Sequence, residues 1–158
     1  MEALKIYSTA VSPEWIDYNG HLRDAYYGLI LSYACDALMD HLGMDATYRQ
    51  QTLCTLYTLE EHLHFLHEVK RSDTVEVSVR LLAADRKRLH AAFDFYCSRY
   101  PDPVAMGELM LLHVLQGDSP KSATFPPQIS AAIESLLGAT SQIKPPGPTS
   151  RRMELRSR

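Results

Sequence analysis

Across residues 25–42, apolar side chains recur four apart in two adjacent rows. Leu29, Tyr33 and Ala37 make one; Tyr26, Ile30, Ala34, Leu38 and Leu42 make the other. Two neighbouring rows give a face broad enough for a helix packed against a sheet. Gly43 follows as a C′ residue that ends the helix in a left-handed turn. Gly28, inside the helix, costs about 1 kcal/mol relative to alanine and marks a close backbone approach. No other stretch has so long a helical pattern, and the runs around it alternate with period two. One long helix that must be buried, and several strands to bury it, leave few folds open.

Residues 4–11 alternate as a first strand and stop at Ser12-Pro13. Residues 45–51 read as a short helical turn. In residues 56–66 the period of two puts Leu59, Leu63 and Phe65 on one face and Thr58, Glu60, His62 and His64 on the other. Residues 69–73 have turn composition. Residues 74–82 place Val75, Val77, Val79 and Leu81 inward and Thr74, Glu76, Ser78 and Arg80 outward. A basic connection leads to residues 89–96, where Leu89, Ala91, Phe93 and Phe95 form the next apolar row. Residues 104–115 are apolar on both faces, as in a central strand or one buried at an interface. The order predicts an α+β fold with an antiparallel sheet around one helix. At 158 residues a single domain is expected over 1–143, with its core in 1–117, a short C-terminal helix within 127–138 and a disordered tail over 144–158.

The formal net charge of −3 argues against a general nucleic-acid binder. Three cysteines, an odd number with no CxxC pair, argue against a disulfide framework or zinc site and fit a reducing cytoplasm. The N-terminus lacks a signal-peptide pattern, and no run approaches the about 18 apolar residues of a membrane span.

The chemistry concentrates in the loop before the helix, residues 15–21 (Trp-Ile-Asp-Tyr-Asn-Gly-His). Asp17 precedes Gly20 by three residues, and Asp24 reads as the helix N-cap. Amides at a helix start point outward with partial positive charge and can hold an oxyanion. Asp17 beside such a site is the minimum kit for acyl transfer, although an Asp before Asn-Gly is also an ordinary turn former. The backbone N–H groups of Asp24 and Ala25 are the candidate oxyanion donors. Trp15, Tyr26 and Tyr27, with Tyr18 and Tyr57, supply ring faces that pack a core or cage a quaternary ammonium. Asn19 and His21 orient the loop or substrate. Glu60 and His62 either line the site opposite Asp17 or form a polar strand face; with His64 they lack the further ligands a metal needs, and no metal is expected. Arg86, Lys87 and Arg88 read as a solvated turn or a phosphate clamp, with Lys70 and Arg71 weaker candidates.

The loop Asp17-Tyr-Asn-Gly20, followed by Asp24-Ala-Tyr26, resembles the active-site loop of hotdog-fold thioesterases of the 4-hydroxybenzoyl-CoA type. Residues 15–21, Asp36-Ala-Leu38, Glu60 with His62, residues 86–90 and residues 108–114 together resemble the betainyl-CoA thioesterases of bacterial carnitine breakdown. The resemblance implies a curved antiparallel sheet around a central helix, and an acyl-CoA substrate with betainyl-CoA foremost. It implies Asp17 as nucleophile or general base and no cofactor beyond the substrate's own coenzyme A. A homodimer or dimer of dimers is expected, because a lone small hotdog leaves too much sheet uncovered. A thioesterase for another acyl group, or a non-catalytic acyl-CoA-binding module, are the alternatives.

Overall fold

The computed structural model describes residues 3–140 together with 142–144, 146, 147, 149 and 153. Its elements run β1 (Leu4–Ala10), α1 (Asp24–His41), α2 (Ala46–Thr52), β2 (Cys54–Phe65), β3 (Thr74–Ala84), β4 (Arg88–Cys97), β5 (Ala105–Leu115), β6 (Lys121–Ser122) and α3 (Pro127–Thr140). A 3₁₀ turn at Pro13–Trp15 leads into the loop before α1. All strand pairs are antiparallel, in the order β1-β3-β4-β5-β2, with β6 added on β5.

β1 and β2 stand at opposite ends of that order, about 19 Å apart in a flat sheet. α1 nevertheless packs against both. The sheet therefore curls around the helix, which is the hotdog arrangement.

α1 ends as its sequence requires. Gly43 has φ +86°, and its N–H donates to Asp40 O at 3.1 Å while that of Met44 donates to Met39 O at 2.8 Å. This pair of bonds closes the last turn. The buried stripe differs in part from the expected one. Ile30, Ala34, Leu38 and Leu42 are buried, but Tyr33 is largely exposed, and Tyr27, Leu31, Cys35 and Met39 form the second buried row. The helix is turned toward β5, where a Cβ at Gly107 would come within 2.8 Å of Leu31.

Two irregularities change which side chains face the helix. Thr58 pairs with Leu111 and Glu60 with Met110, so Leu59 is an extra residue on β2. That bulge inverts the alternation. Leu59, expected inside, is 55% exposed. Thr58 and Glu61 join Leu56 on the inner face, and Glu60, His62 and His64 stay on the outer one. The second correction concerns β3: Ser78 and Arg80 point away from α1 as expected but are buried, because α3 packs across β3 on that side. The Leu81 N–H donates to Thr140 Oγ1 at 3.1 Å, fixing the end of α3 there. His113, on β5, donates from Nδ1 to Ala123 O and accepts from the Tyr48 hydroxyl at Nε2, which ties α2 to the segment after β6.

The tail expected over 144–158 lies for the most part outside the described residues. Among the described residues, no helix is long and apolar enough to cross a membrane.

Candidate active site

The loop before α1 is a closed turn. Asp17 N–H donates to His21 O at 2.8 Å and Gly20 N–H to Asp17 O at 3.0 Å. Gly20 holds φ +80°, a conformation costly for residues with a Cβ. The Leu22 N–H then donates to Val69 O at 2.7 Å, and His21 bridges to Lys70. The turn is thus docked on the connection between β2 and β3.

Asp17 is half-buried inside this turn. Its Oδ1 accepts from the N–H groups of Asn19 at 2.8 Å and His21 at 3.1 Å. Among the described residues nothing engages Oδ2. The His21 amide holds the carboxyl below its ordinary range; partial burial opposes this, and the Asn19 amide with the charges of His21 and Arg23 adds to it. The group is therefore ionised at neutral pH, as a base or nucleophile must be.

The start of α1 departs from expectation in one respect. The cap residue is Arg23, which makes no side-chain cap bond, and Asp24 is the first helical residue. Asp24 Oδ1 accepts from the Ala25 N–H at 2.9 Å, so that amide is already engaged. The Tyr26 N–H donates to Arg23 O. The Asp24 N–H is left without an acceptor among the described residues, and it is the donor open to an oxyanion.

A cleft of about 540 Å³ joins these groups, with Asp17, His21, Asp24 and Tyr27 on one side and Phe65, Leu66, His67 and Glu68 on the other. Glu68 was not anticipated, because residues after a strand read only as a connection. Its carboxylate lies 2.7 Å from His21 Nε2 and 3.4 Å from Lys70 Nζ, which orients the imidazole at the cleft wall. Tyr27 is buried with its ring edge-on to Phe65 at 5.1 Å, and burial pushes its hydroxyl up to about 12. Trp15 stacks on Tyr26 at 5.4 Å beside the cleft rather than lining it, and Tyr18 is 91% exposed. These rings do not surround a common centre.

Two expected groups stand apart from the cleft within one chain. Glu60 and His62 lie 3.3 Å from each other on the outer face, where His62 sits opposite Glu108, itself 2.6 Å from His90. Arg86, Lys87 and Arg88 occupy the β3–β4 hairpin at the other end of the sheet. Phe65 pairs with Ala105 and Arg88 with Leu112; 112 − 105 is seven residues of β5, about 23 Å. Asp85 organises that hairpin, accepting from the Lys87 and Arg88 amides and pairing with the Arg88 side chain at 2.6 Å. Lys87 donates to Ser122 at 3.0 Å. Among the described residues, no group of three or more His, Cys, Asp or Glu is placed to hold a metal.

A family model described as the thioesterase-like superfamily matches residues 11–133. A betainyl-CoA thioesterase of Pseudomonas aeruginosa is 50% identical over 138 residues, covering 87% of this chain and 86% of that one. A crystal structure from Pseudomonas putida KT2440 superposes with a TM-score of 0.86 at 39% identity over 99% of each chain. A Staphylococcus aureus protein solved in complex with CoA superposes at 0.89, with 25% identity over 99% of this chain and 98% of that one. Fold, loop and the extent of these matches agree: this chain belongs to the thioesterase-like superfamily.

Proposed function

We propose that this protein hydrolyses a short acyl-CoA thioester, with betainyl-CoA as substrate and betaine and coenzyme A as products. The observation that carries the reading is an ionised Asp17 sharing a cleft with the open amide at the start of α1. The 50% identical relative is named for the same substrate. As a base, Asp17 takes a proton from water, whose oxygen adds to the thioester carbon. As a nucleophile, its carboxylate adds there and forms an anhydride that water then opens. In both routes the C–S bond breaks, the thiolate departs as a good leaving group, and the Asp24 N–H faces the carbonyl oxygen as it gains charge. No resident cofactor is needed. The three free, buried cysteines fit a cytoplasmic setting.

Thiol release measured with betainyl-, acetyl-, butyryl- and aryl-CoA tests the assignment. Betainyl-CoA is expected to give the highest kcat/KM; faster turnover of an aryl thioester would overturn it.

The same reading includes a homodimer. β2 is an edge strand carrying exposed Tyr57, Leu59 and Phe65, a surface that invites pairing. Antiparallel pairing of β2 with a second copy sets opposite ends of the two sheets side by side. It would bring the copy's Arg86–Arg88 hairpin toward the Asp17 end, where a clamp on the phosphates of coenzyme A is required. Light scattering on the purified protein is expected to give twice the chain mass, and a monomer at micromolar concentration would remove the dimer.

A further inference from the structure

Past the Leu59 bulge Glu60 stays on the outer face, and Glu61, itself partly exposed, borders a recess beside α1. A Cβ at Gly28 would lie 3.6 Å from Glu61 Oε1, so the absence of a side chain at 28 leaves space in front of this carboxylate. No hydrogen bond or ion pair engages Glu61 among the described residues. Burial alone shifts its carboxyl, upward. Beyond Gly28 a recess of about 180 Å³ runs between α1 and β2, where Leu31, Met39, Leu56 and Leu109 alternate with Ser32, Cys35 and Thr58, and Asp36 and Glu61 bound it with no basic side chain. The field inside is negative: after burial, the charges of Asp36 and Glu61 are what push the Cys35 thiol up to about 12.

Two carboxylates with no basic side chain between them favour a cationic ligand. A quaternary ammonium, the cation that the proposed betainyl substrate carries, presents methyl groups to Leu31, Met39, Leu56 and Leu109 and a diffuse charge to the carboxylates of Glu61 and Asp36. Position also agrees. Gly28 lies one turn beyond Asp24 and Ala25 on the same helix face, about 5–6 Å away. A thioester oxygen at the Asp24 amide places a substituent on the α-carbon beside Gly28.

We infer that Glu61, opposite Gly28 at the mouth of this recess, is the counter-charge that selects a quaternary ammonium on the acyl group. The inference rests on the proposed acyl-CoA hydrolysis and adds its specificity determinant, a residue outside the aromatic cluster that the sequence suggested.

The test compares betainyl-CoA with 3,3-dimethylbutyryl-CoA, which has the same shape with carbon in place of the charged nitrogen. The wild type is expected to favour the charged thioester by about tenfold or more in kcat/KM. Glu61→Gln is expected to collapse that ratio by a similar factor, chiefly through KM for betainyl-CoA, and Glu61→Asp to restore part of it. Equal losses on both substrates would make Glu61 a structural or general catalytic group and overturn the inference. The ratio is also read as binding affinity by calorimetry in Asp17→Asn protein, with and without Glu61→Gln. If the wild type does not hydrolyse betainyl-CoA, the proposed activity falls. A Glu61-dependent preference for the charged ligand in the binding arm would still uphold the cation site, and its absence would remove it. If Glu61→Gln does not fold, Glu61→Ser serves in both arms.

Discussion

Asp17→Asn is expected to lower kcat by about 10³-fold while leaving affinity for the thioester nearly unchanged. The substitution keeps the shape of the side chain and its carbonyl-type acceptor. The Asn19 and His21 amides at 2.8 and 3.1 Å can still close the turn. What is lost is the negative charge, and with it both the ability to take a proton from water and the ability to attack a carbonyl. Residual turnover would come from binding and from the Asp24 amide. The wild type should show its acid limb below the ordinary carboxylate range, because the same amides favour the ionised form. Activity is then retained as pH falls toward that range and lost only on passing through the lowered pKa. Measured kcat and KM for the variant, with a wild-type pH profile of kcat/KM, check both statements. Turnover unchanged in Asp17→Asn would take Asp17 out of the chemistry.

How far the sequence carries toward this site depends on the distance over which each signal acts. Local signals served well. The extent of α1, the Gly43 terminus, the places of the main strands along the chain and the Asp17 turn all follow from neighbours within a few residues, and each appears in the structure with small shifts of boundary. Signals that need a partner strand failed. A bulge at Leu59 has no mark in a one-dimensional pattern, since an extra residue is defined only against β5. It turned Leu59 out to solvent and Thr58 toward α1, and left Glu60 and His62 on the outer face, apart from the cleft. Glu68 reads as loop until β2 is seen to end beside His21. Asp24 as the N-cap missed by one residue for a more local reason: it lies inside the helix, and its carboxylate reaches the Ala25 amide.

On the sheet face covered by α3, Arg80 of β3 and Asp94 of β4 form a buried ion pair. Arg80 and Asp94 are joined by contacts of 2.8, 2.9 and 3.1 Å, with side chains 1% and 2% exposed beneath α3. Removing one charge leaves the other buried without a partner, at a cost of about 3–5 kcal/mol. Asp94→Leu, and separately Arg80→Met, should each lower the unfolding free energy by that amount, seen as a fall of about 10 °C in Tm. The double variant behaves differently. Among the described residues Arg80 Nη1 has no hydrogen-bond partner, so the pair holds an unrecovered desolvation cost of about 1–3 kcal/mol even when intact. Replacing both groups with apolar side chains removes that cost along with the attraction. The double variant is therefore expected to unfold within about 1 kcal/mol of the wild type, far from the sum of the two single losses. Chemical denaturation of the four proteins measures the coupling. Single variants that cost under 1 kcal/mol would mean the charges contribute nothing beyond filling space under α3, and a double that costs their sum would mean the two groups act independently rather than as a pair.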